Sequence, residues 1–174
     1  MSEFSESYHL KTNRQEAVIH LLKESGNEGY VFEESNGWVT FVTKGKRFKP
    51  SPSVVFYNPG LLIHYVYAED HGWELKIFDK DELVFDYKCD WTDDLTIEKH
   101  VYDIDIIKDL ILEQGNSIEN VEDLFDCKSR GGLLDQTSPA YLLAGQIGLS
   151  YFEWISVDYL EGRELEDNIV VVDA

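Results

Sequence analysis

Apolar positions follow two spacings along this chain, helical at 3.6 and strand-like at two, and the alternation between them sets out its elements. Thr12-x-x-Gln15 has the spacing of a capping box. Ala17, Val18, Leu21 and Leu22 follow on one face of a predicted helix, and Gly26 is placed to end it in a left-handed conformation. Residues 1–12 lack either period and are expected to form a loose lead-in. From Tyr30 the texture becomes strand-like. Tyr30–Glu33, the turn Glu34–Gly37 with Asn-Gly at its end, and Trp38–Thr43 predict a hairpin. Lys44–Ser53 carries Pro50 and Pro52, which bar a central strand, and predicts an exposed loop or edge crossing. Val54–Tyr57 reads as a short strand stopped by Asn58-Pro59-Gly60. Leu61–Ala68 is apolar on both faces and predicts a central strand. Trp73–Phe78 and Leu83–Lys88 follow across short connections, giving an antiparallel meander of about five or six strands.

Beyond Cys89 the pattern turns helical. Asp90–Val101 is polar and acidic. Asp103 caps a predicted helix over Ile104–Gln114, with Ile107, Leu110 and Ile111 on its apolar stripe and Gly115 at its end. Asn116–Glu119 is a second capping signal, before a short helix with Val121, Leu124 and Phe125 inward. Residues 126–137 form a loop containing Gly131-Gly132. Ser138 with Pro139 opens a third helix, apolar at Ala140, Leu143, Ala144 and Ile147 and stopped by Gly148. Ser150-x-x-Glu153 caps a further helix over Tyr151–Leu160, with a strand over Trp154–Tyr159 as the alternative. Asn168–Val172 predicts an edge strand. Strands followed by helices give an α+β fold, an antiparallel sheet with helices packed on one face. The expectation is one domain over residues 1–174, with a β-rich part to residue 100 and a mostly helical, acidic part after it.

Composition supplies the material for a core. Of 174 residues, 43% are hydrophobic and 13% aromatic, unlike acidic disordered chains, which are poor in aromatics. Charge changes the picture most. The chain carries 34 Asp and Glu against 15 Lys and Arg, a formal charge of −19. Residues 1–100 hold 18 acids and 11 bases, and residues 101–174 hold 16 acids and 4 bases. Such a field repels phosphate backbones and anionic lipid and attracts basic surfaces. Nucleic acid and membrane are therefore disfavoured as partners, and a basic protein is favoured. The first six residues are polar and acidic, unlike a secretory leader. No apolar run reaches the ~20 residues of a membrane span. Cytoplasm is the expected location, and Cys89 and Cys127 are expected to be reduced, buried thiols.

Candidate chemistry is sparse. His64, Glu69, Asp70 and His71 combine imidazoles and carboxylates and could bind a metal or exchange protons. On one strand, however, His64 and His71 lie more than about ten Å apart. Asp79, Asp81, Glu82, Asp86, Asp90, Asp93 and Asp94 offer oxygens for a hard cation, but without the Asp-x-Asp-x-Asp-Gly spacing of an EF-hand. Nucleophile-elbow, zinc-protease, P-loop and dinucleotide motifs are missing. Lys44, Lys46, Arg47 and Lys49 surround Phe48 and read as a solvated loop or an intramolecular partner for the acidic half. The expectation is a non-enzymatic interaction module, inhibitor- or immunity-like, that needs no metal or cofactor. Its predicted binding residues are Glu119, Glu122, Asp123 and Asp126, with Trp154 and Tyr159 as aromatic anchors. The alternatives are an enzyme built on the His64–His71 region and a small-ligand module with a pocket between sheet and helices.

Overall fold

The computed structural model describes residues 1–126 and 138–173. Its strands are β1 (Phe4–Lys11), β2 (Gly29–Val31), β3 (Trp38–Thr43), β4 (Leu61–Ala68), β5 (Gly72–Asp79), β6 (Glu82–Asp90), β7 (Thr96–Tyr102) and β8 (Val170–Val172). Its helices are α1 (Gln15–Ser25), α2 (Pro52–Tyr57), α3 (Ile104–Glu113), α4 (Pro139–Gln146) and α5 (Val157–Leu160), with a 3-10 turn at Val121–Phe125. The fold is α+β. The strands form one open antiparallel sheet of eight, in the order β7-β6-β5-β4-β1-β3-β2-β8. The sheet therefore exceeds the five or six strands expected.

Two strands account for most of the difference. The expected lead-in is β1, which lies mid-sheet between β4 and β3. Its polar residues hide it: Ser5, Ser7 and His9 are all fully buried, so a half-polar strand is central because other polar groups meet it. The polar run after Asp90 contains β7, a mostly exposed edge strand whose Glu98, Lys99 and His100 guard its open side.

Side chains on the two sides of the sheet meet different helices. Tyr8, Leu10, Val39, Phe41 and Leu62 share a face with Val18, Leu21 and Leu22 of α1 and Val54 of α2. Ile63, Tyr65, Tyr67, Leu75, Phe85 and Tyr87 pack on the opposite face against Ile107, Leu110 and Ile111 of α3, Phe125, and Leu143 and Ile147 of α4. Helices thus cover both faces rather than one. The β-rich part also carries a second helix. Val54–Tyr57, expected as a strand, is in α2, because Ser51 accepts from the Val54 N–H and Pro52 opens the helix. Local capping outweighs the β propensity of Val-Val-Phe-Tyr.

Other boundaries shift for visible reasons. The predicted cap Thr12 donates its N–H to the Gly37 carbonyl, prolonging the β1–β3 pairing, so α1 starts at Gln15 with Arg14 as cap. The Gln15 amide reaches the carbonyls of Val31 and Asn168 instead of the cap. Asn36 and Gly37 both adopt positive φ (55° and 84°) and make the tight turn into β3. Asp103, Ser138 and Pro139 open α3 and α4 as read. Residues 151–156 form neither the helix nor the strand considered for them; only Val157–Leu160 is helical. The predicted loop lies outside the described residues from 127 to 137, as does Cys127. Cys89 is buried.

The C-terminal segment settles into a fork in the sheet. β1 pairs with β3 only from Tyr8 onward. Below that point residues 154–159 take the vacated side of β1. Glu6 N–H donates to the Ile155 carbonyl at 2.8 Å, and Phe4 N–H donates to the Tyr159 hydroxyl at 3.2 Å. This wedge brings together residues about 150 positions apart and positions both sites described next.

Candidate functional site

A buried polar seam runs beneath the wedge. Glu3, at 5% exposure, accepts hydrogen bonds from Ser5 Oγ (2.6 Å), the Trp154 N–H (2.8 Å) and the Tyr141 hydroxyl. Thr40 Oγ1 donates to the Ser150 carbonyl at 3.0 Å. It therefore accepts from His9 Nδ1 at 2.8 Å, which leaves His9 Nε2 to accept from Ser7 Oγ at 2.9 Å. This chain of donors fits a neutral imidazole with its proton on Nδ1. Burial pushes the His9 pKa down to about 3, and the nearby His64 adds to the effect. Ser7 and His9 have the chemistry of a nucleophile and a base. Both are fully buried, and the third partner is a hydroxyl rather than a carboxylate. The arrangement ties the wedge to the central strands.

His64 points to the other face, packed against the Tyr8 ring with centroids 4.8 Å apart, and its Nε2 lies 2.9 Å from Glu6 Oε2. Tyr8 accepts from the Ser51 N–H at 2.8 Å, and burial raises its pKa to about 12. Of the four residues of the metal or enzyme alternative, His64 is on β4. The others lie near or in the following turn: Glu69 accepts from the Glu3 N–H, and Asp70 and His71 are exposed. The structure does not bring His64 and His71 together. Asp86 pairs with Lys76 at 3.1 Å, and Asp90 accepts from the Thr92 N–H. Among the described residues no three His, Cys, Asp or Glu side chains converge as a metal site.

Beside the Glu6–His64 pair, a cleft of about 220 Å³ opens where β1 and β3 diverge. Phe4, Glu6 and Tyr8 line one wall, Lys44 and Arg47 another, and Asp158 of the wedge and Glu161 just after it a third. Arg47 pairs with Asp158, and its guanidinium carbon lies 6.0 Å from the centre of the Phe4 ring. Phe48 meets Phe4 edge-on at 4.9 Å, and Lys44 lies 3.6 Å from Glu28. Of the four basic residues of this run, Arg47 alone meets an acid of the C-terminal half, Lys44 lies near Glu28, and Lys46 and Lys49 are exposed. The reading of the run as an intramolecular partner for the acidic half therefore holds for Arg47. Sequence spacing gave no signal for this cleft, since its walls come from positions 4, 47 and 158.

The predicted acidic residues surround the 3-10 turn. Val121 and Phe125 are buried, while Glu119, Asp123 and Asp126 are exposed and Glu122 is half-buried. Glu122 pairs with Lys108 at 2.8 Å and Asp126 with Lys99 at 2.6 Å. The Lys108 hydrogen bond holds the Glu122 carboxyl below its ordinary range. Trp154 and Tyr159 sit apart from that set, on the wedge, with rings 6.0 Å apart and Trp154 43% exposed. The structure therefore places the predicted acids and the predicted anchors on separate elements. Across the described residues most acids are exposed, while the side chains of Glu6, Glu74 and Asp86 are largely covered. Glu3 is the one buried carboxylate.

Comparison of the chain with protein-family models, with curated proteins and with solved structures finds no match.

Proposed function

We propose that this chain is a non-enzymatic interaction protein that binds a basic protein surface, as an inhibitor or immunity-type protein does. The observation that carries the reading is the outward placement of most of its acids: a surplus of 19 negative charges, with Glu3 buried and the majority of the other carboxylates exposed among the described residues. A coat of that sign accelerates encounter with a positive partner and makes association depend on salt. Glu119, Glu122, Asp123 and Asp126 form one face of the coat, with Trp154 and Tyr159 on another as aromatic anchors. The His9–Thr40 bond serves to join β1 to β3, and the Glu6–His64 pair to join β1 to β4.

The test is capture of partners by the full chain at low salt, followed by binding kinetics for the captured protein. The quadruple substitution Glu119→Gln, Glu122→Gln, Asp123→Asn, Asp126→Asn is expected to slow association by about tenfold, with a smaller effect at high salt. Association indifferent to both salt and these substitutions would refute the reading. A second reading, a small-ligand module, draws on the 220 Å³ cleft. A ligand that binds only the folded chain would raise its thermal midpoint.

A further inference from the structure

The run Lys44–Lys49 forms a strap bordered by hollows. Its ends are tied: the Lys44 N–H donates to the Glu28 carbonyl at 2.9 Å, and the Ser51 N–H to the Tyr8 hydroxyl at 2.8 Å. Between those ties Arg47 and Phe48 hold it to the sheet through side chains. Three hollows adjoin it. Lys44, Gly45 and Arg47 border the 220 Å³ cleft. Lys46, Lys49 and Pro50 border another of about 280 Å³. Phe48 borders a third of about 260 Å³ that reaches Val66, Ala68 and Glu74 on the sheet. Phe48 also holds positive φ, 66°, which an aromatic residue adopts only at a cost. Tight packing would close such gaps; here the strap spans them.

What holds the strap is specific. Asp158 supplies a carboxylate to Arg47, the Phe4 ring lies beside the guanidinium, and Phe48 meets the edge of that ring. Glu6 and Glu161 add negative charge to the same walls. Carboxylate plus aromatic face is the chemistry that recognises arginine. Resting on the proposed role as a binder of basic proteins, we propose that the strap is a resident stand-in for the partner. An arginine-and-aromatic segment of the basic partner takes the place of Arg47 and Phe48 on the bed formed by Phe4, Glu6, Asp158 and Glu161. Binding is then an exchange of one basic segment for another, and the chain's own strap screens the bed from weaker cations.

The probe is the strap itself, a fluorescent peptide Lys-Gly-Lys-Arg-Phe-Lys added to the full-length chain at about 20 mM salt, where screening is weak. In the unaltered chain the tethered strap competes at high effective concentration. The exposed double substitution Arg47→Ser, Phe48→Ser vacates the bed, and the peptide is expected to bind this variant about tenfold more tightly than the unaltered chain. Adding Asp158→Asn is expected to remove the gain, and Arg47→Ser alone, as a milder opening, to give part of it. Circular dichroism confirms that each variant is folded. Equal peptide affinity for the unaltered and vacated chains, or a gain that survives Asp158→Asn, would overturn the proposal. A captured partner whose association is slowed by the quadruple substitution but untouched by Asp158→Asn would overturn the bed alone and leave the wider reading standing.

Discussion

Replacing His9 by glutamine should remove a large part of the chain's acid sensitivity. His9 is fully buried between Ser7 and Thr40, with the Tyr65 ring edge-on at 6.4 Å and His64 on the opposite face. In the folded chain its pKa is pushed down from 6.5 to about 3, first by burial and then by His64. The unfolded chain takes up this proton as pH falls through about 6.5, while the folded chain resists until about 3. The stabilising contribution of the neutral imidazole is thus complete above 6.5 and is lost on acidification across that window. Linkage puts the loss between pH 7 and pH 4 at about 3 kcal/mol. Urea unfolding followed by tryptophan fluorescence at pH 7, 6, 5 and 4 measures it. Carboxylates titrate in both proteins, so the contrast isolates the imidazole: His9→Gln should lose about 3 kcal/mol less than the parent over that range. Parallel curves would refute the reasoning. So would a folded-state His9 resonance titrating near 6.5, a measurement that stands even if the variant folds poorly.

Three further outcomes follow from the packing. Glu3→Ala strands the buried donors that meet this carboxylate and should cost about 2–4 kcal/mol; hydrogen exchange at Trp154 and Ile155 should accelerate while β6 stays protected. Tyr65→Phe deletes a buried hydroxyl that has no hydrogen-bond partner among the described residues, so thermal unfolding should show stability unchanged or raised by about 1 kcal/mol. Gly29→Ala drives a methyl into the Val42 carbonyl across the β2–β3 pair, and a loss of about 2–4 kcal/mol is expected in urea.

Legibility followed the range over which each element is decided. The caps at Asp103 and Ser138, the Asn36-Gly37 turn and the two-faced β4 are settled by neighbours within a few residues, and the chain displays them. β1 is decided by partners far away: the Ser5 hydroxyl is met mid-sheet by the Ile155 N–H. α2 shows two local signals in conflict, and the Ser51-Pro52 cap prevails over β-branched propensity. The acidic turn near Glu122 was readable because its charge is contiguous in sequence. The cleft was not, because Phe4, Arg47 and Asp158 become neighbours only after the sheet forms. His9 offered no periodic or motif signal; its surroundings mark it out.

The wedge at the β1–β3 fork also sets a timetable. β1 can pair with β4 once residue 68 has been made, but the groups that close over Ser5 and Glu6 belong to Ile155. At ribosomal speeds of roughly 5–20 residues per second, that interval is about 4–17 s. Throughout it a growing chain holds a half-clothed central strand, open to water and to neighbouring polypeptides. Synonymous codon changes that slow translation between those two points should therefore lower the yield of native protein without altering a single side chain.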